Sequence, residues 1–133
     1  MTTRIATCEC GQLRVTCSGE PTRVAACHCF ACKKKSGSAF GLSAWFRETD
    51  VKAEGKAAEW TRTGDEGSRI TSRFCSVCGT KLFYTNNQIQ GLVGVAGGCF
   101  ADLAFPVPSV SVYHESRKFP WVEIRVEALV TRG

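Results

Sequence analysis

Residues 75–79 read Cys-Ser-Val-Cys-Gly, and residues 8–11 read Cys-Glu-Cys-Gly. A Cys-x-x-Cys turn presents two converging thiolates, and the glycine after it lets the turn close while backbone amides approach the sulfur. In a Cys-x-Cys stretch at the end of a strand, both side chains lie on one face. Each stretch is therefore half of a tetrahedral zinc site. Together they predict a closed structural site, the four-cysteine cluster, with the ligands Cys8, Cys10, Cys75 and Cys78.

Residues 27–32 lie between these stretches and read Cys-His-Cys-Phe-Ala-Cys. Cys27, Cys29 and Cys32, the three-cysteine cluster, supply one ligand fewer than a closed site, and an open fourth position is typical of catalytic zinc. His28 is expected to point away from its two neighbours. Spacing alone leaves two points open, because this cluster could replace one of the outer pairs and because a distant side chain could complete it: Cys17, Cys99 or His114.

The number and setting of the cysteines favour metal binding over disulfides. The chain has nine cysteines in 133 residues, and an odd number leaves one thiol over from any closed disulfide set. The N-terminal residues 1–6 contain no apolar segment of the secretory type, so we expect a reducing compartment, the cytoplasm. Cys17 is in phase with Leu13 and Val15, which predicts a buried core cysteine.

The overall balance of charge and hydrophobicity excludes several classes of protein. The most apolar stretch, residues 92–101, is too short to span a bilayer and contains three glycines, so no membrane association is expected. The net charge is +5, which allows an anionic partner. Residues 33–35 are the one basic run, so nucleic acid is not an expected partner. The partner class that fits is a small molecule, and the oligomeric state is left open.

Hydrophobic residues alternate with polar ones in several short stretches, and this pattern indicates half-buried strands. The length fits one domain over residues 1–133. No long helical period is present, and a single helical turn is expected near residues 101–103. We therefore predict a mostly-β fold, either a sandwich or a twisted pair of antiparallel sheets. The predicted alternating stretches centre on Leu13–Cys17, Phe40–Phe46, Arg69–Phe74 and Val122–Val126.

The three cysteine clusters, with residues 36–38 (Ser-Gly-Ser) after the second, resemble the glutathione-dependent formaldehyde-activating family, which includes centromere protein V. The last part of the chain is similar to that family's ending. The resemblance covers nearly the whole chain. The residues that carry it at this end are Gly97, Gly98, Asp102, Pro108, His114, Pro120 and Trp121.

The resemblance implies a mostly-β, Mss4-like fold of twisted antiparallel sheets with zinc knuckles. It also implies two zinc ions per chain, a structural one at Cys8, Cys10, Cys75 and Cys78 and a catalytic one at Cys27, Cys29 and Cys32. The implied activity is that of a carbon–sulfur lyase, S-(hydroxymethyl)glutathione synthase, which joins glutathione and formaldehyde reversibly.

The chemistry of an open zinc site is consistent with this activity, because zinc stabilises the thiolate of a bound thiol at neutral pH. Zinc with three thiolates is anionic, and the expected balancing cations are residues 33–35 together with Arg69 and Arg73. Three alternatives stay open. One is a redox enzyme resembling the B-type methionine sulfoxide reductases, with Cys99 or Cys17 as its reactive cysteine. The others are a zinc-stabilised binding module and a non-catalytic relative of the family.

Overall fold

The computed structural model describes residues 2–64, 66–106, 111–125 and 131–132. Eleven strands and one short α-helix are present among them, with 3₁₀ turns at Glu48–Asp50, Gly97–Phe100 and Glu115–Arg117. In chain order the elements are β1 (Thr3–Thr7), β2 (Arg14–Ser18), β3 (Arg23–Cys27), α1 (Phe30–Ser36), β4 (Gly41–Arg47), β5 (Val51–Glu54), β6 (Ala57–Thr63), β7 (Arg69–Cys75), β8 (Lys81–Asn86), β9 (Leu92–Ala96), β10 (Ser111–Tyr113) and β11 (Thr131–Arg132).

The strands form two sheets. The smaller sheet has the order β1-β2-β5 and the larger has the order β11-β10-β3-β4-β9-β8-β7-β6. All pairs are antiparallel except those of β10, which is parallel to both β3 and β11. The prediction of a mostly-β fold built from antiparallel sheets is therefore confirmed.

The core lies between the two sheets, and alternation along the strands assigns each side chain to a face. On β4, Ala44 and Phe46 are buried against the smaller sheet, whereas Ser43 and Trp45 face the opposite side and line a cleft. The core therefore uses one face of the larger sheet, and the other face is available for a site. The buried core side chains include Ala6, Cys8, Leu13, Val15, Cys17, Val24, Ala44, Phe46, Cys75, Leu82, Val93, Val95 and Phe100.

Two predicted elements differ from the structure. Residues 122–125 form no strand, although Val122 is buried and Ile124 is half-buried as the alternation predicted, and Val126 lies outside the described residues. The helical turn expected at 101–103 is instead a 3₁₀ turn at Gly97–Phe100. Helix α1 was not predicted, because its seven residues include none that is buried and so show no apolar periodicity.

Candidate metal centres and cleft

The structure brings the four-cysteine cluster together as predicted. The four sulfur atoms all lie within 4.8 Å of one another. Sγ of Cys10 is 3.6 Å from Sγ of Cys8 and 3.7 Å from Sγ of Cys75. A tetrahedral zinc with Zn–S bonds of about 2.3 Å separates its sulfurs by about 3.8 Å. The sulfur positions therefore fit a zinc ion without rearrangement.

The four-cysteine cluster joins the two sheets. Cys8 and Cys10 lie in the turn between β1 and β2, whereas Cys75 ends β7 and Cys78 lies in the turn between β7 and β8. Each turn ends at a glycine with a left-handed backbone, with φ of +86° at Gly11 and +82° at Gly79. A metal at this position would cross-link two hairpins that are far apart in sequence, which is a structural task.

Hydrogen bonds to the sulfur atoms show that the cluster is arranged for thiolates. The amides of Leu13 and Val77 donate to Cys8 and Cys75, each at 3.3 Å. Gln12 Nε2 lies 2.9 Å from Sγ of Cys75, and the same side chain pairs with the backbone of Lys56 at 2.7 and 2.8 Å. Donors directed at a sulfur stabilise its anionic form. The sequence patterns did not single out Gln12, because it is separated by 63 positions from Cys75.

The three-cysteine cluster is also assembled, with its sulfurs within 4.8 Å of one another. Cys27 ends β3, Cys29 caps helix α1, and Cys32 lies in its first turn, with its amide donating to Sγ of Cys29 at 3.3 Å. Hydrogen bonds from Cys27 and Cys32 lower the pKa of Cys29, while the hydrogen bond with Cys29 raises the pKa of Cys27. Three crowded thiols therefore share protons, and a divalent cation is what would allow all three to ionise.

Among the described residues, no other candidate ligand lies within 4.8 Å of all three sulfurs of the three-cysteine cluster. Cys17 is fully buried in the core, as predicted, and burial raises its pKa to about 12. Sγ of Cys99 lies 3.8 Å from the Lys81 carbonyl oxygen, and its pKa is raised by burial and then by Cys8. His28 is buried and points away from the cysteines, with Nε2 3.7 Å from a Glu115 carboxylate oxygen. Those expectations for Cys17 and His28 are confirmed.

His114 occupies an unusual position beside the three-cysteine cluster. It lines the cleft, and after the hydrogen bonds from Cys27 and Cys32 it is a further, smaller cause of the lowered pKa of Cys29. Its backbone is left-handed, with φ of 54°, which is uncommon for a residue with a side chain. The 3₁₀ turn that follows is anchored by Glu115, which contacts both His28 and Lys118. The fold therefore holds an imidazole next to the cysteines at some cost in backbone strain.

A cleft of about 790 Å³ lies on the face of the larger sheet opposite the core. Its lining includes all three residues of the three-cysteine cluster, together with Trp45 and Tyr84, which contact each other edge to face. Gly94 lies directly against the Tyr84 ring, and a Cβ at this position would be 2.8 Å from it. The volume is that of a site for a small molecule of peptide or drug size.

The cations of the cleft come from four elements. Arg23 is on β3, Lys35 on α1, Arg62 on β6 and Lys81 on β8. Burial and then the Lys35 ammonium lower the pKa of Lys81 to about 7. Burial likewise lowers the pKa of Lys35, while the neighbouring Cys32 thiolate raises it. The positive charges and the three-cysteine cluster are therefore in electrostatic contact within one cavity.

Of the cations predicted to balance the zinc charge, only Lys35 lies in the cleft. Arg73 forms an ion pair of 3.3 Å with Glu59, and Arg69 is exposed outside the cavity. Lys33 turns toward the aromatic ring of Phe119, 3.9 Å from its centroid. The prediction that Arg69 and Arg73 act near the metal was therefore wrong, because β7 presents its Ile70 side chain to the cleft and directs both arginines elsewhere.

The family of the chain follows from a comparison with known sequence families. The family model described as "Glutathione-dependent formaldehyde-activating enzyme" matches residues 3–116, which include both cysteine clusters and the lining of the cleft. The chain belongs to this formaldehyde-activating family. The resemblance stated from the cysteine spacing is thereby confirmed. No curated protein sequence matches the chain.

Solved structures support the fold of this formaldehyde-activating family member. A crystal structure of a protein from Rhodobacter sphaeroides superposes with a TM-score of 0.55 at 18% sequence identity. The match covers 71% of this chain and 85% of the other. At this identity the similarity concerns the fold alone. Among the described residues, no helix has the length and apolar character needed to cross a membrane.

Proposed function

We propose that this protein is a zinc-dependent carbon–sulfur lyase of the S-(hydroxymethyl)glutathione synthase type. In this proposal residues 1–133 form one cytoplasmic domain that binds two zinc ions. Cys8, Cys10, Cys75 and Cys78 hold the structural ion, and Cys27, Cys29 and Cys32 hold the catalytic one. The observation that carries the proposal is the opening of the three-cysteine cluster into the cleft, together with membership of the family.

The proposed reaction adds a thiol to an aldehyde, with glutathione and formaldehyde as the expected pair. The sulfur forms a bond to the carbonyl carbon, the C=O π bond breaks, and the thiol proton ends on the oxygen. The product is the S-hydroxymethyl adduct, and the reverse reaction releases both substrates. A zinc ion held by the three cysteines supplies a Lewis acid that favours the thiolate form of the substrate at neutral pH.

The protein's own contribution is to bind and orient the thiol. The cleft encloses both the three-cysteine cluster and the aromatic surface of Trp45 and Tyr84, so a peptide-sized thiol can be held with its sulfur beside the cluster. Holding two reactants side by side replaces a bimolecular encounter, which is a large source of rate acceleration. The mild positive charge of the cleft suits glutathione, which is anionic.

The redox alternative is disfavoured by the two remaining cysteines. A reductase needs a separate reactive thiolate, and reactive cysteines have lowered pKa values and access to solvent. Burial raises the pKa of both Cys17 and Cys99, and Cys17 has no exposed surface. Cys17 is therefore excluded as a nucleophile by its burial, and Cys99, although it lines the cleft, has the raised pKa of an unactivated thiol. A non-catalytic relative, in which the second zinc serves only the fold, is tested directly by the experiment below.

The test is the exchange rate between free formaldehyde and its glutathione adduct, measured by NMR exchange spectroscopy. Product formation alone is uninformative, because the two compounds also react without a catalyst. We expect native protein to raise the exchange rate and the Cys32→Ser variant to return it to the uncatalysed value. Cys17→Ser is the matched control and should retain the acceleration if it folds, because Cys17 lies in the core. An unchanged rate with native protein would exclude the lyase and favour the non-catalytic relative.

A further inference from the structure

Lys35, Lys81 and Arg62 gather on one side of the cleft without a compensating carboxylate. Nζ of Lys35 lies 5.1 Å and Nζ of Lys81 lies 4.1 Å from the centroid of the Tyr84 ring, so one ring contacts both ammonium groups. Within the described part of the chain, none of the three forms an ion pair. The one described carboxylate that lines the cleft is Glu9, and it is exposed.

Arg62 has a hydrogen-bond donor that is not paired within the described part of the chain. Its Nε is buried and has no hydrogen-bond partner among the described residues. A buried guanidinium nitrogen is normally paired, and its planar geometry matches a carboxylate or a phosphate. The residue belongs to β6, at the edge of the larger sheet, and its neighbour across the strand pair is Ile70, which also lines the cleft.

The position of the three cations relative to the cysteines defines what they would bind. Lys35 follows Cys32 by one helical turn, and the charge of Lys35 acts on the Cys32 thiol. Lys81 begins β8, lines the same cleft as the three cysteines, and contacts the Tyr84 ring that Lys35 also contacts. The cations therefore lie beside the three-cysteine cluster and inside the same cavity. A ligand whose sulfur is at the cluster would place the remainder of its chain along this positively charged wall.

We propose that Lys35, Arg62 and Lys81 form an anion subsite that binds a carboxylate of the substrate and thereby selects acidic thiols over neutral ones. The inference rests on the proposed function, since it assigns the substrate class of the same cleft. Lys35 and Lys81 supply point charges, and Arg62 supplies a directional donor. The carboxylate is the anion that the proposed substrate, glutathione, carries. This subsite recognises a free carboxylate on the thiol substrate.

The binding experiment uses S-methylglutathione, whose blocked sulfur cannot react, and its diethyl ester, in which both carboxylates are masked. Isothermal titration calorimetry on native zinc-loaded protein should give at least about tenfold tighter binding of the acid than of the ester, as expected for loss of a charged hydrogen bond. Added salt should weaken binding of the acid. Equal affinities for acid and ester would overturn the subsite, as would tighter binding of inorganic phosphate than of S-methylglutathione.

Arg62→Gln is the decisive variant. It should bind the acid about tenfold more weakly than native protein and the ester equally well, so that the selectivity disappears. Lys81→Met should change in the same direction, whereas Arg69→Gln, an exposed arginine outside the cleft, should behave as native protein. Zinc per chain is measured on every variant. Loss of zinc in Arg62→Gln with the selectivity retained would show that the residue only balances the metal charge, and would overturn the proposal.

The two proposals fail in different ways. If native protein accelerates formaldehyde exchange equally with glutathione and with glutathione diethyl ester, the lyase function stands and the subsite is overturned. If it accelerates neither thiol, the lyase function fails, and calorimetry with S-methylglutathione still decides whether the cleft binds an acidic peptide. Acceleration with glutathione at least about tenfold greater than with the ester supports both.

Discussion

Gln12 makes three contacts at the four-cysteine cluster, although it is not a candidate ligand. Its amide nitrogen contacts both Sγ of Cys75 and the Lys56 carbonyl, and its amide oxygen accepts from the Lys56 amide. One side chain thus orients a sulfur and fastens the turn between β1 and β2 to the segment before β6. This is the role that groups around metal ligands commonly have.

Replacement of Gln12 should therefore weaken zinc binding at the four-cysteine cluster without removing a cysteine ligand. We expect Gln12→Ala to lower zinc affinity at the four-cysteine cluster by about 10- to 100-fold. The measurement is zinc release to a coloured chelator, recorded as a function of chelator concentration. Gln90→Ala, at an exposed position remote from both clusters, is the control. Equal zinc retention in both variants would show that the contact with Cys75 has no effect on the metal.

At the residue scale, the sequence alone predicted the roles of residues whose partners are close to them in the chain. The seven clustered cysteines and the burial of Cys17 follow from short spacings. Gln12 and Arg62 could not be found in this way. Their partners are supplied by strands from other parts of the chain, so their roles exist only after the sheets have formed. Arg73 shows the converse, since its position before a cysteine pair suggested a contact that the pairing with Glu59 prevents.

The four-cysteine cluster depends on two turns that each end at a glycine. The Cys75 carbonyl accepts from the Gly79 amide at 2.9 Å, and the Cys8 carbonyl accepts from the Gly11 amide at 3.0 Å. Nothing lies within 4 Å of a Cβ built on either glycine. The requirement for glycine is therefore the left-handed backbone and not a lack of space.

Gly79→Ala should lower the free energy of unfolding by about 1 kcal/mol, because alanine is disfavoured in the left-handed conformation. Gly79→Asn should cost less, since asparagine tolerates this conformation better. Urea denaturation of the zinc-loaded protein measures both. Gly98→Ala is a suitable control, because a Cβ there meets nothing within 4 Å and the backbone is not left-handed. Equal losses for Gly79→Ala and Gly98→Ala would contradict the assigned role of the turn.

At the scale of elements, alternation in the sequence predicted the half-buried strands. It did not predict the helix or the other strands. β2, β4 and β7 follow from alternation, because each has one face against the core or the cleft. Helix α1 has its cap at Cys29 and a left-handed Gly37 at its end, but it lines the cleft and buries none of its residues. Residues 122–125 alternate without forming a strand, and there Val122 is buried through a turn in which its amide donates to the Phe119 carbonyl at 3.0 Å.

For the whole molecule, the two cysteine clusters have different relations to the fold. The four-cysteine cluster connects hairpins of different sheets, and its Cys8 and Cys75 belong to the core. The three-cysteine cluster is built from one continuous segment and opens into the cleft. The sequence predicted both groups. It could not predict the cleft, because its lining comes from six strands, one helix and the loops between them.

This difference predicts unequal effects of single substitutions on stability. Cys78→Ser should unfold the protein or make it insoluble, since structural zinc contributes folding free energy on the order of 10 kcal/mol. Cys29→Ser should remain folded, with a circular dichroism spectrum like that of native protein. Thermal unfolding followed by circular dichroism compares the two. Equal destabilisation by Cys29→Ser and Cys78→Ser would contradict the division into a structural and an open site.

The most direct test of the central claim, two zinc sites of which only one is needed for folding, is zinc per chain determined by native mass spectrometry. We predict two zinc ions in native protein and one in a folded Cys32→Ser variant. A native protein that binds one zinc per chain, or a Cys32→Ser variant that still binds two, would contradict the claim.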